Sequence, residues 1–416
     1  MSGPDRFRCV VCATESQTHT PWFGCQTCAG QGRNANVLPV GDPPSAASLA
    51  RDLSQPGVFA YRRRLPVDDR VEPVSLDEGG TPLVASDQLA ADAGVAGLWF
   101  KDETRNPTWS YKDRLAAVAV TQARSVGVDT IALATTGNHG AAAAAYAAAA
   151  GMRCVALTLA SVPSTMKVLM QSYGAQVLAL ESPPDRWKLL RQAVETWGWT
   201  PVSGFLDPPI GSNPYGIEGY KTIAFEIVEQ LGAVPDVVVV PTAYGDGLLG
   251  IQRGFAELVD GGVADRQPRL AAVDPFGAYQ AALADPDAAA LPRVTARPTV
   301  AFSIGTPVAT HQGVAALRAT DGMAAATPDD DQIMATQARI ASASGLFLEA
   351  AAASTYLAVR SLVASGRIGG DDRVVCIATS TGLKDVGSAE QRLPSVPVIA
   401  PELSSLEDAL GSAERP

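Results

Sequence analysis

The chain has 416 residues, more than one hydrophobic core usually holds, so we expect two domains and an appendage. Its formal charge of −11 and its isoelectric point near 4.8 argue against nucleic-acid and anionic-membrane partners, because both attract a surplus of Lys and Arg. No apolar run reaches the length of a membrane span and the N-terminus lacks a signal-peptide pattern, so we predict a cytoplasmic protein.

Two CxxC pairs lie near the N-terminus and are separated by twelve residues. This pattern predicts a zinc ribbon in which four thiolates surround one ion, although the intervening loop is shorter than usual. The alternative is four reduced thiols without metal. The candidate ligands are Cys9, Cys12, Cys25 and Cys28. The other two cysteines, Cys154 and Cys376, lie in apolar runs and are predicted to be buried hydrophobic side chains.

The next segment, Val37 to Asp77, is rich in Pro, Asp and Ala and has weak periodicity. We predict an irregular arm with short helices there. Within this arm, the basic run Arg62 to Arg64 is interpreted as a solvent-exposed patch.

The chain then alternates short apolar strands with helical stretches. This alternation predicts an α/β fold with largely parallel sheets covered by helices on both faces. Because ligands of such sheets bind at the carboxyl ends of the strands, the loops after the strands are the first place to look for a site. The predicted strands are Thr130–Ala134, Arg153–Leu159, Gln176–Leu180, Val237–Pro241, Arg269–Val273 and Arg373–Ala378.

Lys112 lies in the polar segment NPTWSYKDR and is followed at once by Asp113 and Arg114. Taken alone, a Lys-Asp-Arg triplet predicts an ordinary solvent-exposed face of a helix.

The loop TTGNHG, Thr135 to Gly140, follows the first of those strands and precedes an alanine-rich helix. Backbone N–H groups at the start of a helix favour an anion, so a carboxylate or phosphate fits here. The alternative is that Asn138 merely caps the helix. By itself, His139 predicts a packed or surface histidine.

Two further loops follow later strands. In PTAYGDGLLG, Gly245, Gly247 and Gly250 permit the close backbone approach that a phosphate requires, but an ordinary turn explains them equally well. There, Asp246 would repel a phosphate unless its carboxylate points away. The loop TSTGLKD, Thr379 to Asp385, carries three hydroxyls that an ordinary turn also explains.

The order of these four motifs resembles the fold-type II family of pyridoxal-phosphate (PLP) enzymes, and within it threonine synthases and threonine-synthase-like proteins. The resemblance covers roughly Cys9 to Asp385, and the twin CxxC pairs are similar to the N-terminal extension of many members. Supporting segments are SLDEGGTPL, NPYGIEGYKTIAFEIVEQLG, SIGTP and SGLFLEAAAA.

The resemblance implies a fold similar to the tryptophan synthase β chain, with two α/β domains. The predicted division is a zinc-ribbon-like arm (1–36), a large PLP-binding domain (37–114 and 205–389), a small domain (115–204) and a C-terminal tail (390–416).

The resemblance also implies a role for each motif. Lys112 is expected to form a Schiff base with PLP and to move protons at the substrate α and β carbons. Asn138 is expected to bond the ring oxygen of the cofactor, and the hydroxyl of Thr379 its pyridine nitrogen. The expected partners of the substrate carboxylate are the backbones of Thr135, Thr136, Gly137, Asn138 and His139. Those of the cofactor phosphate are the backbones of Tyr244, Gly245, Asp246, Gly247 and Leu248.

Three residues depart from the threonine-synthase pattern. Trp109 stands where Gly is frequent and narrows the space beside the lysine, and Ser380 replaces a Gly of TGxGLKD. Gly216 stands where an Arg often precedes Glu-Gly, so a bidentate phosphate partner is missing. We therefore hypothesise that O-phosphohomoserine is a poor substrate. The remaining candidate phosphate partners are Lys167, Lys221 and Arg114.

We predict PLP-dependent β- or γ-elimination or replacement on a small amino acid, similar to threonine synthase, by a homodimer. The alternatives are a serine/threonine dehydratase or ammonia-lyase, and a β-replacement synthase of specialised metabolism. A non-catalytic zinc-ribbon interaction protein is a third class, which the presence of Lys112, Asn138 and Thr379 disfavours.

Overall fold

Three β-sheets organise the protein, whose structure is a computed structural model that describes residues 5–285 and 290–411. The chain divides into a large unit, Met1–Lys384, and a short unit, Asp385–Pro416. All three sheets belong to the large unit. The strands are β1 (Arg6–Cys9), β2 (Glu15–Gln17), β3 (Val37–Pro39), β4 (Leu83–Ala85), β5 (Gly97–Asp102), β6 (Thr130–Ala134), β7 (Arg153–Leu159), β8 (Gln176–Leu180), β9 (Thr200–Pro201), β10 (Val237–Pro241), β11 (Arg269–Asp274), β12 (Met323–Ala326) and β13 (Arg373–Ala378).

The helices connect these strands and cover the sheets. They are α1 (Gln26–Ala29), α2 (Ala46–Leu49), α3 (Asp87–Ala93), α4 (Lys112–Ser125), α5 (Asn138–Ala149), α6 (Ser164–Ser172), α7 (Pro183–Trp197), α8 (Pro214–Ile217), α9 (Lys221–Leu231), α10 (Asp246–Asp260), α11 (Ala278–Ala284), α12 (His311–Arg318), α13 (Asp330–Ser344), α14 (Ala350–Ala364), α15 (Val386–Glu390) and α16 (Leu403–Leu410). The last two lie in the short unit. No helix among the described residues is long and apolar enough to cross a membrane.

The N-terminal sheet is antiparallel, with the order β2-β1-β3. Its small core consists of Phe7, Ala35, Val37 and the cysteines 9, 25 and 28. The ring of Phe7 packs edge-on against Tyr215 of α8, with 5.4 Å between ring centres, so aromatic packing joins the arm to the rest of the large unit.

The largest sheet has the order β12-β11-β10-β13-β5-β4, and only its edge strand β4 runs antiparallel to its neighbour. The central strand β10 is a run of valines buried on both faces, as a covered parallel sheet requires. Its alternate residues Val238 and Val240 belong to the core that includes α10, whereas Val237 and Val239 belong to the core that includes α14. The sheet is therefore an inner layer between helices.

The third sheet is parallel throughout, with the order β8-β7-β6-β9. Helix α5 follows β6, and six of its eight alanine side chains are buried. Alanine has the highest helix propensity and a small side chain, so α5 packs closely against α4 and β7.

All six predicted strands form, and one of them, Arg269–Asp274, is longer by one residue. The prediction of an α/β fold with largely parallel sheets is confirmed, as is the burial of Cys154 and Cys376. The prediction of a solvent-exposed basic patch is wrong for Arg64, which is 8% exposed and forms an ion pair with Glu257 at 2.9 Å. The boundaries of the four predicted domains stay a prediction.

Candidate active site

One cavity is lined by the residues that follow β6, β10 and β13, together with the start of α4. Four motifs that lie far apart in the sequence therefore meet at the carboxyl ends of the strands, where ligands of α/β sheets bind. The predicted site residues that line it are Lys112, Thr135, Thr136, Asn138, His139, Tyr244, Gly245, Asp246, Gly247, Leu248 and Thr379. Gly137 lies in the same loop but does not line the cavity.

Lys112 is the first residue of α4, and its amine lies 4.8 Å from the ring centre of Tyr111 and 5.6 Å from that of Tyr220. The loop before it is hydrogen-bonded to the residues that follow β13. The amide of Tyr111 donates to the carbonyl of Thr379 at 2.9 Å, and the hydroxyl of Ser380 donates to the carbonyl of Trp109 at 3.2 Å. These bonds fix the lysine beside the TSTGLKD loop.

The exposed helix face that the triplet favours when taken alone does not form, because Asp113 and Arg114 are both fully buried. Asp113 accepts hydrogen bonds from the amide and the hydroxyl of Thr108, at 2.9 and 2.7 Å. Arg114 pairs with Glu103 and Glu226, each at 2.7 Å. Both residues therefore hold the start of α4 in place, and burial raises the pKa of Asp113 to about 7.

The TTGNHG loop is held by the hydroxyl of Thr135, which accepts from the amides of Gly137 and Gly140 at 3.0 Å each. The side chain of Asn138 does not cap α5, so that alternative is wrong. His139 is buried, and burial together with the charge of Lys112 lowers its pKa well below the ordinary value. The imidazole is therefore neutral at physiological pH.

The glycine loop after β10 leads directly into α10. Gly245 has a φ of 77°, and a Cβ on Gly247 would lie 2.7 Å from the ring of Tyr111, so both positions require glycine. The carboxylate of Asp246 accepts from the amide and hydroxyl of Ser212 at 2.8 and 2.7 Å. It also accepts from the side chain of Gln312 at 2.7 Å. Three hydrogen-bond donors therefore surround this carboxylate.

Sequence reasoning missed a buried amide pair behind this loop. The Nε2 of Gln312 donates to the carbonyl of Tyr244 at 2.6 Å, and its Oε1 accepts from Nδ2 of Asn36 at 3.0 Å. Asn36 and Gln312 are both 0% exposed. The pair joins the N-terminal arm to the glycine loop, and no motif in the sequence marks either residue.

Helices that start at a cavity beside a lysine, at the carboxyl ends of parallel strands, define a fold-type II pyridoxal-phosphate enzyme. Residues 74–380 match the family described as "Pyridoxal-phosphate dependent enzyme", and the chain belongs to that family. The predicted fold class and the predicted cofactor PLP are thereby confirmed, whereas the structural zinc stays a prediction.

Within this family the chain is similar to threonine synthases. The threonine synthase of Methanosarcina acetivorans is 33% identical over 414 residues, which cover 97% of this chain and 98% of the relative. The threonine synthase of Mycobacterium tuberculosis is 34% identical over 362 residues, which cover 86% of this chain and 97% of the relative. The predicted threonine-synthase-like recognition is confirmed.

A solved structure shares the fold at lower identity. Threonine deaminase isoform 2 of Solanum lycopersicum superimposes with a TM-score of 0.63 at 18% identity, covering 86% of this chain and 92% of that chain. At this identity the likeness shows the fold alone.

The described residues also fit the cofactor chemically. Lys112 supplies an amine, and the starts of α5 and α10 supply backbone N–H groups that have no partner within their helices. The hydroxyl of Thr379 lines the cavity and has no hydrogen-bond partner among the described residues.

The residues that depart from the threonine-synthase pattern lie outside the lining of the cavity. Gly216 packs against α4, where an added Cβ would lie 2.8 Å from Leu115, and Trp109 is 44% exposed; neither lines the cavity. Two candidate phosphate partners are already paired, Arg114 as described and Lys221 with Glu218 and Glu257 at 2.7 and 2.9 Å. The expectation that Trp109 narrows the space for the substrate is therefore wrong, whereas the missing arginine at Gly216 stays a hypothesis.

Proposed function

We propose that this protein uses PLP for β- or γ-elimination or replacement on a small amino acid, as a threonine-synthase-like enzyme. The carrying observation is that Lys112 lies in one cavity with two helix starts, those of α5 and α10. A lysine amine and two separate anion sites are what an amino acid and a phosphorylated cofactor require together.

Each element has one role in this proposal. Lys112 holds the cofactor and moves protons at the substrate carbons. The backbone N–H groups of residues 244–248 bind the phosphate, and those of residues 135–139 bind the substrate carboxylate. Asn138 donates to the ring oxygen and Thr379 bonds the ring nitrogen. The bound cofactor supplies an electron sink, which a neutral hydroxyl partner suits to elimination and replacement.

The charge of the cavity bears on the substrate. Among the described residues that line it, Lys112 is the only Lys or Arg, and His139 is neutral. A second phosphate, on the substrate, would find no free guanidinium or ammonium partner there. We therefore keep the hypothesis that O-phosphohomoserine is a poor substrate, now because of the charge distribution in the cavity. We further propose that the natural leaving group is uncharged.

The reconstituted protein should show the visible absorbance of lysine-bound PLP. A screen of small amino acids for release of phosphate, ammonia or 2-oxo acid then separates replacement from dehydratase or ammonia-lyase activity. Efficient formation of threonine from O-phosphohomoserine, with kcat/KM on the order of 10⁴ M⁻¹s⁻¹ or more, contradicts the substrate hypothesis. Absence of visible absorbance contradicts the enzyme class.

We also propose that the N-terminal cysteines bind one structural zinc ion. The sulfur atoms of all four lie within 4.8 Å of one another, and two of the pairs are 3.7 Å apart. A tetrahedron with zinc–sulfur distances of about 2.3 Å has sulfur–sulfur distances of about 3.8 Å. Backbone amides of Val11 and Cys12 donate to the sulfur of Cys9, which stabilises a thiolate. The ligands are Cys9, Cys12, Cys25 and Cys28.

Elemental analysis of protein purified under reducing conditions should find one zinc per chain. Cys9→Ser should lower the zinc content and loosen the arm more than the cavity. Metal-free protein with an intact arm contradicts the zinc proposal and leaves the PLP proposal standing. The homodimer is likewise a proposal, which light scattering of the purified protein tests.

A further inference from the structure

Three side chains surround the amide of Asn138. The Nδ2 donates to Oε2 of Glu349 at 2.7 Å, and the Oδ1 accepts from Nζ of Lys384 at 2.8 Å. The hydroxyl of Ser380 is a second donor to Oδ1, at 3.2 Å. We call Asn138, Lys384 and Glu349 the Asn138 cluster.

The chemistry of an amide makes this arrangement directional. An asparagine side chain has two N–H groups and an oxygen with two lone pairs. In the Asn138 cluster the oxygen has two donors, one of them Lys384, and one N–H has a carboxylate acceptor. A flipped amide would bring its NH₂ group against the ammonium and its oxygen against the carboxylate, so the orientation is fixed. One N–H remains, on a residue that lines the cavity.

The two charged members do not line the cavity. Lys384 and Glu349 are each 2% exposed, and the described residues show no ion pair between the two. Each instead bonds to Asn138, which lies 246 residues from Lys384 and 211 from Glu349 along the chain. Burying a charge costs free energy unless a specific contact offsets it. Here both charged side chains have the Asn138 amide as a specific contact, and Lys384 also interacts with the charges of Glu349 and Asp113.

The cluster also joins two sheets. Asn138 begins α5, which follows β6 of the four-stranded sheet. Lys384 follows β13 of the six-stranded sheet, and Glu349 precedes α14, which packs on the same sheet. Burial lowers the pKa of Lys384 to about 8, while Glu349 and Asp113 raise it, so the amine is protonated at neutral pH.

We propose that Lys384 and Glu349 are positioning residues that fix Asn138 with its one remaining N–H toward the cavity. A cation at the amide oxygen draws electron density from the nitrogen, which makes the free N–H a stronger donor. This inference rests on the proposed function, in which that N–H donates to the ring oxygen of PLP.

The direct test is Lys384→Met, which keeps the length of the side chain and removes the charge. We expect the affinity for PLP, measured from visible absorbance during titration, to fall about ten- to a hundredfold. The absorbance maximum of the bound cofactor should also shift, because its ring oxygen loses a strong donor. Glu349→Gln keeps an acceptor oxygen and should have a smaller effect.

Ser380→Ala is the matched control. Its single hydroxyl proton is shared between Asn138 and the carbonyl of Trp109, both at 3.2 Å, and it carries no charge. We expect a loss of PLP affinity of less than about threefold. If Ser380→Ala reduced PLP affinity as much as Lys384→Met does, the charge of Lys384 would not be what fixes Asn138.

A double-mutant cycle separates positioning from general destabilisation. If Lys384 acts through Asn138, adding Lys384→Met to Asn138→Ala should change PLP affinity less than twofold. Full additivity would overturn the proposal, as would a Lys384→Met protein with the affinity and absorbance maximum of the wild type. Circular dichroism identifies a variant that does not fold, and then Glu349→Gln takes its place in the cycle. If the wild type itself shows no visible absorbance, the proposed function fails instead.

Discussion

The two helices that start at the cavity, α5 and α10, follow their strands in the same way, but different contacts hold the loops before them. Both α5 and α10 follow a parallel strand after a short glycine-containing loop. The loop before α10 is held by Asp246, Ser212 and Gln312, and through Gln312 it is joined to the arm. The loop before α5 packs on methionines, and its key side chain is held from the opposite sheet.

This difference indicates a division of labour. A cofactor phosphate does not change during a reaction, so a rigid loop joined to the core and the arm suits it. A substrate carboxylate arrives and leaves, and methionine side chains adapt to small movements of the backbone. We therefore expect changes in the backbone of the loop before α10 to affect the cofactor, and changes in the backbone of the loop before α5 to affect mainly the substrate. The side chain of Asn138, at the start of α5, is the exception because it serves the cofactor.

The largest effect is expected at the lysine between the two helix starts. Lys112→Ala should abolish both turnover and the visible absorbance of bound PLP while the protein remains folded, because no other Lys lines the cavity among the described residues. Absorbance spectra and circular dichroism measure this. Lys188→Ala, at an exposed lysine of α7, is the control. If Lys112→Ala kept both absorbance and activity, Lys112 would not be the lysine that binds PLP.

The glycine loop gives the next effect. Gly247→Ala places a Cβ 2.7 Å from the Tyr111 ring, so the loop must move. We expect PLP affinity to fall by about a hundredfold. This corresponds to the free-energy cost of overpacking, which reaches about 3 kcal/mol. Gly41→Ala, where nothing lies within 4 Å of the added Cβ, is the control. Unchanged PLP affinity in Gly247→Ala would contradict the phosphate assignment.

The matching change at α5 is Gly137→Ala. Its φ of 143° disfavours a side chain, and the Cβ would lie 2.7 Å from the side chain of Met166. We expect KM for the amino acid to rise about tenfold, with a loss of PLP affinity well below that of Gly247→Ala, because the cluster around Asn138 still holds the side chain that serves the cofactor. Steady-state kinetics and PLP titration on one protein preparation measure both. If PLP affinity falls as far as in Gly247→Ala, the proposed division of labour is wrong.

The link to the arm should give a smaller effect. Asn36→Ala leaves Oε1 of buried Gln312 without its Asn36 donor, at a cost of about 1–3 kcal/mol. We expect a lower melting temperature and PLP affinity reduced about threefold. Asn34→Ala is the control, because Asn34 belongs to the same arm but donates to the carbonyl of Pro208 at 2.8 Å. Equal losses of PLP affinity in both variants would show that Gln312 does not transmit the effect.

The smallest effect concerns pH and the charge that supports α5. Burial lowers the pKa of Lys384 from 10.5 to about 8, so the folded protein releases this proton before the unfolded chain does. Folding is therefore stabilised as pH rises from about 8 to 10.5, and below pH 8 the contribution is constant. The melting temperature of the wild type relative to Lys384→Met should rise by a few degrees over that window. A difference that falls with pH contradicts the assignment.

Local patterns in the sequence determined the strands and the order of the motifs. Alternation of apolar runs with helical stretches reports the backbone period of each segment, so all six predicted strands form. The loops that follow them, with the helix starts after those loops, contain about half of the cavity lining, because parallel strands end at one edge of a sheet. Family and cofactor followed from the combined motifs.

Only the tertiary structure decided the partners of single polar residues. The triplet at Lys112 has the pattern of an exposed helix face, yet Asp113 and Arg114 are buried because Thr108, Glu103 and Glu226 supply their partners. Such partners are chosen by the packing of elements that are distant in sequence, and an isolated polar residue has no period that reveals them. The same reason hid the Asn138 cluster and the Asn36–Gln312 pair, whose amides lie 276 residues apart in the chain.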